Sequence, residues 1–166
     1  MATDTTSVSD TARAVLGAFN SHDTANMRTL WTDDVAERFP DGTVSGPAAL
    51  TEYFDGLFTA VPDVRMDVIS VAEDGDTAFV RWHLTGTHTG GGFQGLRPTG
   101  KRLEIDGFDE MTIRDGKLAA NFVVFDRMQF GQQLGMLPPD GSAPERGMKA
   151  AFNAGTALKA KIAARR

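Results

Sequence analysis

The chain has 166 residues, 41% of them apolar and 23% charged, which is enough for one compact unit with a sizeable core. It has no cysteine, so disulfides, thiolate metal sites and cysteine nucleophiles are excluded. A formal charge of −5 argues against nucleic acid or an anionic membrane as the main partner. That charge is uneven: residues 144–166 hold Arg146, Lys149, Lys159, Lys161, Arg165 and Arg166 against Glu145, a +5 tail on a −10 body. No apolar run approaches the ~20 residues of a membrane span, and the polar start Met1-Ala2-Thr3-Asp4 lacks the features of a signal peptide. A cytoplasmic location without a membrane partner is therefore expected.

In chain order, Ser9 or Asp10 can cap a helix over 10–21 with Ala12, Val15, Leu16 and Phe19 on one face. A shorter helix follows, presenting Met27, Leu30 and Trp31 and ending at Asp33-Asp34. Val35 to Phe39 reads as a strand closed by the turn Pro40-Asp41-Gly42. Gly46-Pro47 opens a third helix, with Leu50, Tyr53, Phe54, Leu57 and Phe58 inward and Pro62-Asp63 as its stop. The period then changes. Residues 64–72 and 77–88 flank Asp74-Gly75, and 103–113 and 118–126 flank Asp115-Gly116, which predicts two antiparallel hairpins with type I′ turns. The glycine-rich stretch Thr89 to Gly100 predicts a mobile loop at the rim of a pocket, with Phe93 and Leu96 as the apolar weight of a lid.

Met128 to Leu134 read as a helical turn or two, Leu137 to Pro144 as a linker, and 145–165 as a final helix with a thin stripe of Met148, Ala151, Phe152, Leu158 and Ile162. The sum is an α+β fold in which N-terminal helices pack on the concave face of a curved antiparallel sheet over residues 1–137. Residues 138–166 form a Pro-rich linker and a basic C-terminal helix. That stripe is too thin to fold alone, so the tail is expected to dock on its own body or on a partner subunit and to support a homodimer.

A two-residue loop at Asp115-Gly116 pairs Asp109 with Phe122 and Ile105 with Asp126, and period-2 alternation turns all four toward the core. Burial raises a carboxyl's pKa toward the range useful for acid/base work, so Asp126 and Asp109 are candidate catalytic groups. The structural alternative is that Asp126 caps a helix starting at Arg127 and that Asp109 pairs with an arginine. Of the histidines, His22 sits in a helix-ending turn, and His88 rather than His83 shares the parity of Val80, Trp82 and Leu84. His88 is thus the candidate pocket histidine. No His-x-His, His-Glu-x-x-His or acidic-loop pattern supports a metal site. Gly95 to Lys101 matches the start of a P-loop, but Arg102 stands where Ser or Thr is needed and a strand follows where a helix should.

Several segments together carry a resemblance: Asn20-Ser21-His22-Asp23, Phe39-Pro40-Asp41-Gly42, Gly86-Thr87-His88-Thr89-Gly90, Pro98-Thr99-Gly100-Lys101, and Asp126 followed by Gln132-Gln133-Leu134-Gly135. Over residues 10–137 the pattern resembles the SnoaL-like polyketide cyclases, within the nuclear-transport-factor-type α+β cone fold shared with ketosteroid isomerase and limonene epoxide hydrolase. The resemblance implies a cofactor-free aldol closure of an aromatic polyketide, with Asp126 as acid/base and His88 lining the same cavity, while Asp109 is a candidate from the strand alternation alone. Phe19, Trp31, Tyr53, Phe54, Trp82 and Phe122 would hold the substrate, although the family often has Trp where Phe122 stands. Epoxide opening by Asp109 and Asp126 around a water, polyketide hydroxylation, and ligand binding without catalysis are the alternatives.

Overall fold

Helical periodicity gives way to strand alternation near residue 64, and the architecture follows that change. The computed structural model describes residues 7–164; Arg165 and Arg166 of the basic tail lie outside the described residues. Helices α1 (Val8–Asn20) and α2 (Thr24–Thr29) lead to strands β1 (Trp31–Phe39) and β2 (Gly42–Ser45), then to helix α3 (Pro47–Ala60). Strands β3 (Arg65–Asp74), β4 (Thr77–Thr87), β5 (Arg102–Arg114) and β6 (Lys117–Phe125) follow, then α4 (Arg127–Leu134) and α5 (Ala143–Ala163).

The side chains of Ser7 and Asp23 cap α1 and α2 by accepting from the backbone N–H groups of Asp10 and Asn26, both at 3.0 Å. Thr11, Ala12, Val15, Leu16 and Phe19 of α1 and Leu50, Phe54 and Phe58 of α3 are buried against the sheet. Along β5 burial alternates without a break, with Leu103, Ile105, Asp109, Met111 and Ile113 inward. Asn20 fastens the end of α1 to β3, exchanging two hydrogen bonds of 2.8 Å with the Met66 backbone.

The six strands form one curved sheet in the order β2-β1-β6-β5-β4-β3. The α+β class expected from the sequence holds, with one correction to the all-antiparallel sheet. β1 runs parallel to β6, Glu37 opposite Asn121, and so covers an edge that a meander ending at β6 would leave unpaired. Trp31 belongs to that strand rather than to the second helix, because the Leu118 amide donates to the Leu30 carbonyl at 2.8 Å and draws the chain into the sheet.

The turns divide. Asp115 and Gly116 both have positive φ, 53° and 71°, as type I′ requires. In the other hairpin Asp74 pairs with Thr77, so Gly75 and Asp76 are central and only Gly75 is positive, the pattern of type II′. Helix α5 starts at its Ser142 cap and buries none of its side chains, so the docking of the tail on its own body is not found among the described residues.

Candidate active site

Helices α1 and α3 meet the concave face of the sheet around a cavity of about 110 Å³. Phe19 comes from α1, Tyr53 and Phe54 from α3, Trp82 from β4 and Val123 from β6, so the wall is largely aromatic. Tyr53 stacks on Phe39 with centroids 4.4 Å apart and meets Phe54 edge-on at 5.4 Å. Burial and the nearby Asp41 and Glu37 carboxylates push the Tyr53 phenol above its ordinary pKa, so it stays neutral and a donor.

Polar groups appear at the mouth, where Asp41, Gln94 and Arg127 stand. Gln94 Nε2 donates to Asp41 Oδ2 at 2.5 Å, which straps the glycine-rich loop to the β1–β2 turn. Phe93, next to the strap, meets Tyr53 edge-on at 5.6 Å. The root of that loop is fixed rather than mobile. Gly90 and Gly91 donate to the Ala60 and Thr59 carbonyls, each at 3.0 Å, and a Cβ on Gly90 would overlap the Thr59 oxygen. Close approach to α3 therefore explains Gly90 better than flexibility does.

A polar cluster lies on the same inward face, beneath the aromatic wall. Asp109 is 4% exposed, and its Oδ1 accepts from Trp82 Nε1 at 2.9 Å. Asn121 Nδ2 donates to Asp109 Oδ2 at 3.3 Å and to Glu37 Oε2 at 3.1 Å, bridging two carboxyls. Loss of water around Asp109 raises it to about 6, against the lowering effect of the Trp82 and Asn121 bonds. Desolvation, and then the Asp109 charge, raise Glu37 to about 8. Both carboxyls are thus pushed toward their neutral forms, Glu37 the further of the two, and Asn121 Oδ1 is left without a partner among the described residues.

Of the sequence-predicted residues, Phe19, Tyr53, Phe54 and Trp82 line the cavity, and Asp109 sits one side chain behind it. Trp31 is buried and stacks on Phe54 at 6.0 Å without reaching the cavity wall. Asp126 and Phe122 are not where the register placed them. A bulge beside Ala119 shifts the β5–β6 pairing between Ile113–Leu118 and Thr112–Ala120, so Asp109 faces Val123 and Phe122 faces Glu110. Phe122 turns to the outer face, 41% exposed beneath the Arg38 guanidinium at 5.0 Å. Asp126 is exposed and caps α4, its Oδ1 accepting from the Met128 and Gln129 amides at 2.8 and 3.0 Å.

His88 is buried on the inward face, away from the carboxyls, and lines a separate small chamber. His22 bonds the Val64 carbonyl at 2.7 Å and stacks on Phe58, and His83 pairs with Asp106 at 3.0 Å on the other side of the sheet. Glu37 and Asn121 were missed. Glu37 shares its strand parity with Val35 and Phe39, which alone marks it as an inward acid. Among the described residues, no three His, Asp or Glu side chains gather to hold a metal ion, and no helix is long and apolar enough to cross a membrane.

The sequence pattern of the SnoaL-like polyketide cyclases matches residues 9–134. AclR from Streptomyces galilaeus, a proposed hydroxylase, is 27% identical with a TM-score of 0.69, the match covering 79% of this chain and 97% of AclR. Wild-type IdmH from Streptomyces antibioticus, a proposed polyketide cyclase, is 25% identical with a TM-score of 0.66, over 77% of this chain and 98% of IdmH. A proposed SnoaL-like polyketide cyclase from Jannaschia sp. CCS1 shares the fold at 22% identity and a TM-score of 0.66, over 77% of this chain and 93% of that one. No curated protein matches closely enough to add to these. With most of its length matched by the family pattern and its strands and helices laid out as in these relatives, the chain belongs to the SnoaL-like polyketide cyclase family.

Proposed function

We propose that the protein closes an aromatic polyketide intermediate by intramolecular aldol condensation, with Asp109 rather than Asp126 as the acid/base. The observation that carries this reading is the buried Asp109–Asn121–Glu37 cluster beneath an aromatic cavity. Asp109, held near 6, is ionised at neutral pH yet basic enough to take a proton, while Glu37, held near 8, retains its own. Asp109 removes a proton from a carbon flanked by two carbonyls. The enolate carbon bonds to a second carbonyl of the same molecule, and the alkoxide so formed takes the proton back from Asp109. Product and substrate are isomers, and the protein supplies only proton transfer, orientation and exclusion of water. Phe19 and Phe54 hold the aromatic end, and the neutral Tyr53 phenol donates to the enolate oxygen.

A second reading, a protein that binds an apolar ligand without transforming it, draws support from the cavity wall, of which neither Asp109 nor Asp126 is a part. In the aldol reading a shift of Trp82, which lies between Asp109 and the open space, brings the carboxylate to the substrate. Asp109→Asn and Asp126→Asn are to be compared for turnover of an aryl-primed poly-β-ketone ester. The expected result is a loss of ~10²-fold or more in kcat for Asp109→Asn and turnover within about threefold of wild type for Asp126→Asn. Loss confined to Asp126→Asn returns the acid/base to that residue, and tight binding with no turnover by the wild type establishes the second reading.

A further inference from the structure

The last residues that pair β1 with β6 are Arg38 and Phe122. Two positions later Pro40, which has no N–H for a ladder, begins the turn into β2, while β6 runs on to Phe125. The two strands therefore part and leave an open groove of about 470 Å³ between them. Phe39, Pro40, Asp41, Val123 and Phe125 line both this groove and the aromatic cavity, so the groove starts at the cavity mouth. Arg38, Thr43, Phe122 and Val124 line the groove alone and mark its far part, on the outer face of the sheet.

The charge along this path is unlike that of the rest of the body. Among the described residues, the arginine side chains that hydrogen-bond or ion-pair are Arg65, Arg114 and Arg146. The guanidinium groups of Arg38, in the groove, and of Arg127, at the mouth, are thus unpaired. The one acid on either lining is Asp41, which already accepts from Gln94. Two arginines against one engaged acid make a local positive field on a body that carries −10. Arg38 is also oriented, its guanidinium lying over the Phe122 ring 5.0 Å from the centroid. A planar group seated on an aromatic face keeps its N–H edge for an acceptor, and a carboxylate fits that edge with two parallel bonds.

A chain borne by a ring in the 110 Å³ cavity leaves by the mouth and meets the groove there. Resting on the reading of the aromatic cavity as the ligand site, we infer that the groove holds this chain and that Arg38 binds a carboxylate at its end. The substrate class is then an aryl-capped chain bearing a free acid, in preference to the matching ester or amide. Arg38 selects and orients the ligand and takes no part in proton transfer.

Calorimetric titration with 6-phenylhexanoic acid and its primary amide, at about pH 7.5 where the acid is ionised, compares two ligands of nearly one shape that differ in charge. The wild type is expected to bind the acid roughly three- to tenfold more tightly, a preference that shrinks as salt is added. Arg38→Gln brings the ratio close to one and leaves the affinity for the amide unchanged. Arg38→Lys keeps part of the preference, and Arg127→Gln, which removes an equal charge at the mouth, keeps most of it. Arg38 and Arg127 are both exposed, so all three variants should melt with the wild type. Equal affinity for the two probes in the wild type, an unchanged ratio in Arg38→Gln, or an equal fall in Arg127→Gln overturns the inference. Failure of both probes to bind removes the cavity reading and the groove with it. An Arg38-dependent acid preference without turnover leaves the groove standing and sinks the aldol reading, while Asp109-dependent turnover without acid preference does the reverse.

Discussion

Gly107 and Trp82 are cross-strand partners on the inward face, and the indole lies so close to the glycine that a Cβ at Gly107 would stand 2.2 Å from Cη2 and Cζ2 of its six-membered ring. The strand position that carries no side chain is thus the seat of the ring that holds Asp109. Gly107→Ala is expected to lift the indole, lengthen its bond to Asp109 and destabilise the fold by about 1–3 kcal/mol, the usual cost of overpacking. Thermal melts and tryptophan fluorescence check this, and in a Trp82→Leu background the same change should cost clearly less.

Stability should depend on pH through Glu37. Its carboxyl titrates near 4.5 when unfolded and at about 8 in the fold, so below 4.5 both states are protonated and the contribution is whole. As pH rises toward 8 the unfolded chain releases the proton first, and the contribution is lost. Asp109 behaves alike between 3.8 and about 6. Glu37→Gln should therefore gain on the wild type by several kcal/mol between about pH 5 and about pH 8, read by urea unfolding at each. A difference that does not change with pH would mean that Glu37 is ionised in the fold.

The cavity, about 110 Å³, is smaller than the ~150 Å³ engineered cavity that admits benzene, so a polycyclic ligand needs part of the wall to move, and the Phe93 tip is a part carried by a loop. Gln94→Ala cuts the bond to Asp41 and should raise both association and dissociation rates of an aromatic ligand by roughly three- to tenfold, with little change in Kd. Stopped-flow binding measures the rates. Amide exchange should quicken at residues 92–97 and stay slow at Gly90 and Gly91, whose amides are tied to α3.

Asp126 is expected to act on stability. Asp126→Ala removes the acceptor for two amides and should cost about 1 kcal/mol, whereas Asp126→Asn keeps an acceptor and should melt near the wild type. Differential scanning calorimetry separates the two.

Because α5 buries no side chain, removing residues 141–166 should leave the melting temperature of the remaining unit within about 2 °C. Light scattering of both forms tests the tail in assembly. A dimer that becomes a monomer on truncation supports the homodimer, and an equal mass in both forms removes the tail from it.

Element order and type could be read from the sequence because each helix has a stripe and a cap and each long strand alternates. The site was only partly legible. Asp109 lies on a strand whose alternation is unbroken, so counting by two placed it correctly. Asp126 and Phe122 lie beyond the bulge at Ala119, where the count slips by one, and no local residue pattern announces a bulge. Glu37 shares the parity of Val35 and Phe39, so alternation could have found it, whereas Asn121, like Phe122, lies beyond the bulge and is turned inward by the same slip of one. The Gly-Thr-His segment pointed to His88, but the chamber in which it stands depends on side chains from α3, β5 and α4.

The parallel pairing of β1 with β6 also sets a timetable for the nascent chain. Glu37 and Asn121 are 84 positions apart, and β1 has no partner on its β6 side until most of the protein has been made. The β3–β4 and β4–β5 hairpins join near neighbours and can form early, while closing the long β1–β6 loop carries a larger entropic cost. The acid pair is therefore assembled last, and a chain truncated before Lys117 should show folded hairpins, a first strand paired only with β2, and no site.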